Sequence, residues 1–279
     1  MIFFLLLTLL FIVSYLGFWQ GRGTENYYTS KPIYISHRGV TKNNPENTIE
    51  AFKEAEGLGF HGIEVDIIAS KDGVLYCSHN HQLNKETNHS GYIDQMLSDE
   101  LDNIETGYFS HPNNQQKVPR LSNVIENISN DMIINIEVKF SSYFDLSTVF
   151  ALKRFLKKNK TNHRILVSSF NPFIVFFSRW LIPSTRAGFL FESANMKKWI
   201  NFCQPDTVHP RIDFLDEDII KECKAKKLSI NIKKKKDRLS SGNYLVKEPN
   251  GQILVDKLES FRDYSLSLIE DELLSNSIK

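Results

Sequence analysis

The stretch Gly62-Ile-Glu-Val-Asp-Ile-Ile-Ala69 decides the fold class of this chain. Its apolar and β-branched residues predict a strand, and the alternation of side chains along a strand places Glu64 and Asp66 on one face. The turn Lys71-Asp72-Gly73 follows, after which residues 74–78 are predicted to continue as a strand. This segment therefore supplies a predicted sheet strand and two candidate functional carboxylates.

Similar short apolar runs alternate with amphipathic stretches from Lys31 onward. Ile49, Phe52 and Ala55, for example, are spaced for one face of a helix predicted over residues 47–56. The other predicted strands are 32–36, 132–138, 164–168, 185–190, 207–208, 228–232 and 252–255. The other predicted helices are 119–127 (with a turn), 146–158, 173–180 and 216–226.

This alternation of strands and helices implies parallel βαβ units and an α/β fold. About eight such units in roughly 250 residues is the size of a (β/α)8 TIM barrel, with a doubly wound open sheet as the alternative. Residues 80–117 interrupt the pattern and are rich in Asn, His and Ser. They predict an insertion after the second strand.

The composition excludes several classes of protein. Hydrophobic residues make up 41% of the chain and charged residues 24%, which excludes a disordered, collagen-like or coiled-coil protein. The 34 basic and 33 acidic residues are balanced, so no nucleic-acid partner is predicted. Cys77, Cys203 and Cys223 are too few and too scattered for a disulfide framework or a CxxC metal site.

The first 19 residues carry no charged side chain. As a helix, residues 2–19 would reach roughly 27 Å, close to the thickness of a bilayer core. A retained membrane anchor over residues 1–20, with Tyr15 and Trp19 at the interface, is favoured over a cleaved signal peptide because no cleavage pattern follows. The expected organisation is an anchor, a polar tether over 21–30 and one barrel domain over 31–279. A secreted or periplasmic protein is the alternative localisation.

Ionisable residues close several of the predicted strands. They are His37 and Arg38 after the first strand, Glu64 and Asp66 in the second, His79 after its continuation, and Glu137 and Lys139 at the end of strand 132–138. In a barrel, the carboxyl ends of the strands meet at the catalytic mouth. Three buried carboxylates would be costly there without a cation, and oxygen ligands suit Mg²⁺ or Ca²⁺ better than zinc.

The remaining charged groups suggest a phosphate substrate. Arg38 and Lys139 would balance an anion, and two histidines beside a metal-bound phosphate are a natural acid and base. Each motif alone also fits a structural role: Glu137 and Lys139 as an ion pair, and His79 as a loop histidine. Their occurrence together at successive strand ends is far more specific than any one of them.

The chain also resembles a known family at several motifs. These are His37-Arg38-Gly39, Pro45-Glu46-Asn47-Thr48, Ile63-Glu64-Val65-Asp66, Lys71-Asp72-Gly73, His79, Ile136-Glu137-Val138-Lys139 and Ser168-Ser169-Phe170-Asn171. The resemblance is to the glycerophosphodiester phosphodiesterases. It implies a (β/α)8 barrel that uses a divalent cation to hydrolyse glycerophosphodiesters to an alcohol and sn-glycerol 3-phosphate.

The same resemblance assigns the roles of the site residues. Glu64, Asp66 and Glu137 match the family's metal ligands. His37 and His79 match its acid–base pair, without indicating which is the acid. In addition, Arg38 and Lys139 match its phosphate-contacting cations.

Three departures from the family pattern concern the mouth. Asn80 stands where the family commonly has Asp, no Trp accompanies Asn231, and no Pro follows Asp256. The Asn80 departure is expected to alter local hydrogen bonding only. The missing Trp and Pro suggest a different substrate alcohol or a larger lipid substrate, so cleavage of lysophospholipids of the phospholipase D type is the alternative activity. A degenerate, non-catalytic barrel is a third interpretation, which the pair of histidines argues against.

Other features leave alternatives open. Residues 233–236 are four consecutive lysines, which suit either a solvated loop or contact with anionic lipid headgroups. Residues 173–180 are strongly apolar and predict a helix packed on the barrel, with a membrane-dipping segment as the less favoured alternative. His81 and His209 are expected on loops or surfaces.

Overall fold

The computed structural model describes residues 17–28, 33–211, 214–233 and 242–246, together with the single residues 4, 8, 14 and 15. The strands are β1 (Ile33–His37), β2 (Gly62–Ala69), β3 (Leu75–Cys77), β4 (Glu105–Thr106), β5 (Gln116–Lys117), β6 (Ile133–Val138), β7 (Arg164–Ser169), β8 (Arg186–Phe191), β9 (Thr207–Pro210), β10 (Ser229–Lys233) and β11 (Gly242–Val246). The helices are α1 (Ile49–Gly57), α2 (Ser98–Leu101), α3 (Leu121–Asn127), α4 (Ser147–Lys158), α5 (Pro172–Leu181), α6 (Ala194–Lys197), α7 (Ile200–Cys203) and α8 (Glu217–Lys226).

Seven strands form the parallel part of a barrel-like sheet. They run in the order β1, β2, β6, β7, β8, β9 and β10, each parallel to its neighbour. Strand β11 pairs antiparallel with both β10 and β1. The prediction of a TIM-barrel-like α/β fold is therefore confirmed in its parallel part.

The eighth strand position differs from the prediction. It is filled by β11, which runs antiparallel, whereas the predicted strand 252–255 lies outside the described residues. Only residues 234–241 separate β10 from β11. A parallel return needs a crossover of a dozen or more residues, so a connection of this length allows only the antiparallel arrangement.

Helix α1 shows how the sequence pattern covers the sheet. Thr48 caps its first turn by accepting a hydrogen bond from the backbone N–H of Ala51. Ala51, Phe52 and Ala55 are fully buried, and Phe52 and Ala55 join the apolar core with residues of β2 and β6. Full burial of a side chain such as Phe52 contributes roughly 1.5–3 kcal/mol. The predicted helix over 47–56 is thus confirmed. Its packing on the sheet fixes the course of the chain between β1 and β2.

The predicted insertion over residues 80–117 has a small apolar core of its own. Leu83, Ile93, Leu101 and Ile104 are buried there and pack on Tyr76 of β3. Tyr76 also anchors the insertion through its hydroxyl, which donates to the carbonyl of Ser98 over 2.8 Å. This segment is thus held as a folded cap beside the end of β2.

The segment expected to be a polar tether packs against the barrel instead. Tyr27 and Tyr28 are buried and cluster with Ile33, Ile35 and Ile133 at the amino ends of the strands. The Tyr27 hydroxyl donates to the carbonyl of Ile165 over 3.1 Å. Residues 21–28 therefore close the end of the barrel opposite the strand carboxyl ends.

A buried carboxylate fixes the start of this segment. Asp206 is fully buried and accepts hydrogen bonds from the Arg22 backbone at 2.8 Å and from the Ala187 backbone at 2.8 Å. The Arg22 and Arg179 guanidinium groups each contact it at 2.5 Å. Two arginines and two amides thus balance the charge of one carboxylate inside the protein.

Trp19 is also part of this packing. It was expected at a membrane interface, but it is buried, and its indole N–H donates to Asn201 Oδ1 over 3.1 Å. The Lys226 ammonium lies 4.5 Å from the centre of its ring. Most of the predicted anchor over residues 1–20 lies outside the described residues. Within the described part of the chain, no helix has the length and apolar character needed to cross a membrane.

We expect Asp206→Ala to destabilise the protein by about 3 kcal/mol, because it leaves two buried or half-buried arginines without their carboxylate. The measurement is the free energy of unfolding by chemical denaturation. Glu105→Ala is the matched control, since Glu105 pairs with Lys117 at 3.6 Å on the surface and should contribute less than about 1 kcal/mol. Equal losses in the two variants would contradict the structural role of Asp206.

Candidate active site

The three carboxylates singled out in the sequence converge at the carboxyl ends of neighbouring strands. Glu64 and Asp66 lie on β2 and Glu137 on β6, with Asp66 directly opposite Glu137 in the register. All three are buried, and one oxygen from each lies within 4.8 Å of the others. A set of clustered, buried carboxylate oxygens fits a hard divalent cation such as Mg²⁺ or Ca²⁺.

Two basic side chains contact this carboxylate cluster. The Lys139 ammonium lies 2.8 Å from Asp66 Oδ1 and 2.5 Å from Glu137 Oε1. The Arg38 Nε lies 3.0 Å from Asp66 Oδ2, and its Nη1 donates to Glu46 at 2.9 Å. Burial acts to raise the pKa of Asp66, but the charges of Lys139 and Arg38 outweigh it and hold the pKa well below its usual range.

Lys139 shows the reciprocal effect. Burial acts to lower its pKa, but Asp66 and Glu137 outweigh burial and raise the pKa above its ordinary value. The group therefore stays protonated at neutral pH. Arg38 and Lys139 place two permanent positive charges beside the carboxylates, where an anionic substrate would need them.

The turn after β1 positions the backbone around the carboxylates. Arg38 has a φ of 59° and Gly39 a φ of 79°, both in the left-handed region. The Arg38 backbone N–H donates to Glu64 Oε2 over 3.1 Å. A Cβ on Gly39 would lie 2.7 Å from the backbone of Ala51, so only glycine fits against α1. The His-Arg-Gly sequence thus has a structural reason as well as a chemical one.

Asn47 holds Asp66 in place and was not predicted as a site residue. Its Nδ2 donates to Asp66 Oδ2 over 2.9 Å, and its Oδ1 accepts the Asp66 backbone N–H over 3.0 Å. Asn47 itself adopts the left-handed conformation, with a φ of 60°, that Asn tolerates better than most residues. The motif Pro45-Glu46-Asn47-Thr48 was the sequence signal for this residue, but the contact of Asn47 with β2 is visible only in the folded structure.

The two predicted catalytic histidines follow β1 and β3. His37 Nε2 lies 3.9 Å from Glu64 Oε2, an ion pair that exists when the imidazole is protonated. Burial and the nearby Lys139 charge lower the pKa of His79 to about 4, against an opposing effect of Asp66. His79 is therefore neutral at pH 7 and is able to accept a proton.

A second group of ionisable side chains surrounds His79. One ligand-type atom from each of Glu46, His79 and Glu86 lies within 4.8 Å of the others. Asn80 Nδ2 donates to Glu86 Oε1 at 2.5 Å. Burial, followed by the negative charge of Glu46, raises the pKa of Glu86 to about 7. Sequence reasoning missed Glu86, because it belongs to the insertion and only the fold returns it to His79.

His209 contradicts the expectation of a surface position. It is buried on β9, where its Nε2 lies 2.8 Å from Thr207 Oγ1 and 2.9 Å from Asn231 Nδ2. A Cβ on Gly188 would approach His209 Nε2 to 2.6 Å, so the glycine on β8 makes room for the ring. Asn231 is therefore part of a buried polar layer inside the barrel.

Two further predictions concern the surroundings of the site. His81 Nδ1 lies 3.6 Å from Asp94 Oδ2, and both residues belong to the insertion. The lysine run at 233–236 lies outside the residues whose side chains are described.

Comparison with known proteins agrees with this fold and motif set. The model of the glycerophosphoryl diester phosphodiesterase family matches residues 37–233, from His37 to the end of β10. The chain belongs to this family. The predicted family resemblance is confirmed, and with it the prediction that the protein is a phosphoric diester hydrolase.

Individual family members share about a quarter to a third of their residues with this chain. A glycerophosphodiester phosphodiesterase of Caldanaerobacter subterraneus subsp. tengcongensis is 29% identical over 198 residues, covering 70% of this chain and 82% of that protein. One from Bacillus altitudinis is 34% identical over 140 residues, covering 49% and 57%. A solved Oleispira antarctica phosphodiesterase, in complex with the product sn-glycerol-3-phosphate, has a TM-score of 0.65 at 26% identity and covers 73% and 84%.

The raised pKa of Glu86 predicts a pH-dependent effect of Glu86→Gln on stability. Its carboxyl group keeps its proton up to about pH 7 in the folded protein but loses it near pH 4.5 in the unfolded protein. Because the folded state binds this proton more tightly, the free energy of unfolding of the wild type falls as pH rises through this window. The variant should therefore gain about 2–3 kcal/mol relative to wild type between pH 4.5 and pH 8.

The measurement is the free energy of unfolding of the metal-free protein at both pH values. Glu126→Gln, on the exposed side of α3, is the control and should show the same small effect at both. A gain for Glu86→Gln that does not grow with pH would disprove the assignment.

Proposed function

We propose that this chain is a metal-dependent glycerophosphodiester phosphodiesterase that releases an alcohol and sn-glycerol 3-phosphate. The observation that carries the proposal is the cluster of Glu64, Asp66 and Glu137 in contact with Lys139 and Arg38 at the strand carboxyl ends. Membership of the family and the product-bound relative from Oleispira antarctica support the substrate class.

Glu64, Asp66 and Glu137 would hold the cation in this proposal, which Mg²⁺ or Ca²⁺ suits on the grounds of ligand chemistry. A bound divalent cation supplies a positive charge that stabilises negative charge on the phosphoryl oxygens. Arg38 and Lys139 would contact other oxygens of the same group.

The two histidines would divide the proton transfers at phosphorus. Neutral His79 is suited to take the proton from the attacking hydroxyl, whether it belongs to water or to the glycerol 2-position. His37, beside Glu64, is suited to hold a proton and give it to the departing alkoxide. This division rests on the surroundings of each ring: burial and the charge of Lys139 outweigh the nearby carboxylates at His79, whereas Glu64 lies 3.9 Å from His37.

We expect Glu64→Gln and Asp66→Asn each to lower turnover of glycerophosphocholine by at least about a thousandfold, since the variants lose several kcal/mol of charge stabilisation. Mg²⁺ or Ca²⁺ should raise the melting temperature of the wild type but not of these variants. Glu126→Gln should retain both properties. Activity close to wild type in Asp66→Asn would refute the ligand assignment, whereas ligand binding without product in the wild type would indicate a non-catalytic barrel.

A second candidate activity is the cleavage of lysophospholipids. Tyr108 and Phe109 are largely exposed in the insertion, and the Tyr108 backbone N–H donates to the carbonyl of Glu86 over 3.0 Å. Two exposed aromatic rings beside the His79 group would suit an acyl chain.

Comparison of kcat/KM on lysophosphatidylcholine and glycerophosphocholine separates the two activities. If the lysophospholipid is the substrate, Phe109→Ser should lower kcat/KM for lysophosphatidylcholine and leave kcat/KM for glycerophosphocholine unchanged. A strong preference for the soluble diester would exclude the second activity.

We also propose that residues 1–20 retain the enzyme on a membrane as a single-pass anchor, on the basis of their uncharged sequence. After cell lysis, the full chain should remain in the membrane fraction through an alkaline wash and start at Met1. A shortened, freely soluble chain would favour secretion or export after signal cleavage.

A further inference from the structure

Helix α5 is apolar on its outer side as well as its inner side. Ile174 and Val175 face the core and are buried. The opposite side carries Phe173, Phe176 and Trp180, at the spacing of one helix face. The outer face of a surface helix is normally polar, and a helix that is apolar all round is usually covered by something.

The outer face of α5 belongs to a continuous ridge of aromatic rings, here called the aromatic ridge. Its members are Phe144, Phe173, Phe176, Trp180, Trp199 and Phe202. Phe144 contacts Phe173 at 5.1 Å between ring centres, and Phe202 contacts both Phe173 and Phe176 at 5.1 and 5.5 Å. Phe144 is 79% exposed, Trp180 57% and Trp199 37%. Exposed aromatic rings grouped in this way are typical of an interaction site.

One end of the ridge lies at the mouth of the barrel. Phe144 follows Lys139 by five residues, and Asn171, just after the carboxyl end of β7, donates to the carbonyl of Tyr143 over 2.8 Å. Asn171 also caps α5, accepting from the backbone N–H of Phe173. The ridge therefore begins beside the active site and follows α5 along the side of the barrel.

The other end of the ridge meets the uncharged N-terminal sequence. The Tyr15 hydroxyl donates to the carbonyl of Phe202 over 3.2 Å, and Gln204 Nε2 donates to the Tyr15 carbonyl over 2.7 Å. Tyr15, which follows the uncharged stretch 2–14 in the sequence, therefore lies beside the ridge. Lys198, adjacent to Trp199, is exposed, and the Lys226 ammonium lies over the ring of Trp19. Aromatic rings flanked by lysines are typical of surfaces that bind at the membrane–water interface.

We propose that the aromatic ridge lies against a lipid bilayer with anionic headgroups, so that one edge of the barrel mouth opens at the membrane surface. The contact of Tyr15 with Phe202, directly after the uncharged stretch 2–14 in the sequence, selects a bilayer as the occupant, and the adjacent lysines select anionic lipid. This inference rests on the proposed membrane attachment, and it adds which side of the barrel faces the lipid. Substrate released from or embedded in the bilayer would then reach the carboxylate cluster over Phe144.

The tryptophans of the chain provide a direct test. There are three, of which Trp180 and Trp199 belong to the ridge and Trp19 is buried. The full chain is placed in phosphatidylcholine vesicles with and without phosphatidylglycerol, and flotation measures its attachment. Quenching of tryptophan fluorescence by brominated lipid measures contact with the bilayer, and quenching by aqueous iodide measures exposure to water.

We expect strong quenching by brominated lipid and loss of iodide quenching in the wild type, more so with phosphatidylglycerol. Trp180→Phe/Trp199→Phe should remove most of the lipid quenching, because the remaining tryptophan, Trp19, is buried. Phe144→Ser should reduce the lipid quenching. Phe150→Ser is the matched control: Phe150 is exposed on α4, outside the ridge, and its loss should leave quenching unchanged.

Other outcomes overturn the proposal in distinguishable ways. Attachment to vesicles without lipid quenching would support the membrane anchor but refute contact between the aromatic ridge and lipid. If the tryptophans were then still protected from iodide, the ridge would be covered by this chain's own residues or by a second copy. Absence of flotation would refute both the anchor and the ridge. If the wild type did not turn over glycerophosphocholine, that result would contradict the catalytic proposal alone.

Discussion

The site depends on one electrostatic constraint: the fully buried carboxylate of Asp66 must be balanced inside the barrel. Lys139 and Arg38 supply the charge, and Asn47 supplies two hydrogen bonds. Arg38 and Asn47 lie at the two ends of the loop between β1 and α1, and Lys139 follows β6. Balancing one carboxylate on β2 therefore ties two loops together at the strand carboxyl ends.

This constraint explains local features that look unfavourable when considered alone. Arg38 and Asn47 both adopt the left-handed backbone conformation, which carries a cost for residues other than glycine. In return, the Arg38 N–H reaches Glu64 and the Asn47 amide reaches Asp66. The strain at the turn after β1 is thus offset by contacts that also hold the proposed metal ligands in position.

At the opposite end of the barrel, a second buried carboxylate is balanced by basic side chains, and there the arrangement contributes to stability. Asp206 is buried with two arginines, one of which, Arg22, comes from the segment that precedes β1. Because Arg22 lies between the uncharged N-terminal sequence and the barrel, this contact fixes where that sequence leaves the domain. The position of the aromatic ridge relative to the N-terminus follows from it.

The sequence by itself determined the alternation of strands and helices as far as β10, the family and the seven ionisable residues at the mouth. Period-2 alternation alone places Glu64 and Asp66 on one face, because that relation is local to one strand. Only the tertiary structure decided the antiparallel course of β11, the burial of His209, the return of Glu86 to His79, and the packing of residues 21–28. These features depend on contacts between residues far apart in the chain, and neither local propensity nor spacing encodes such contacts.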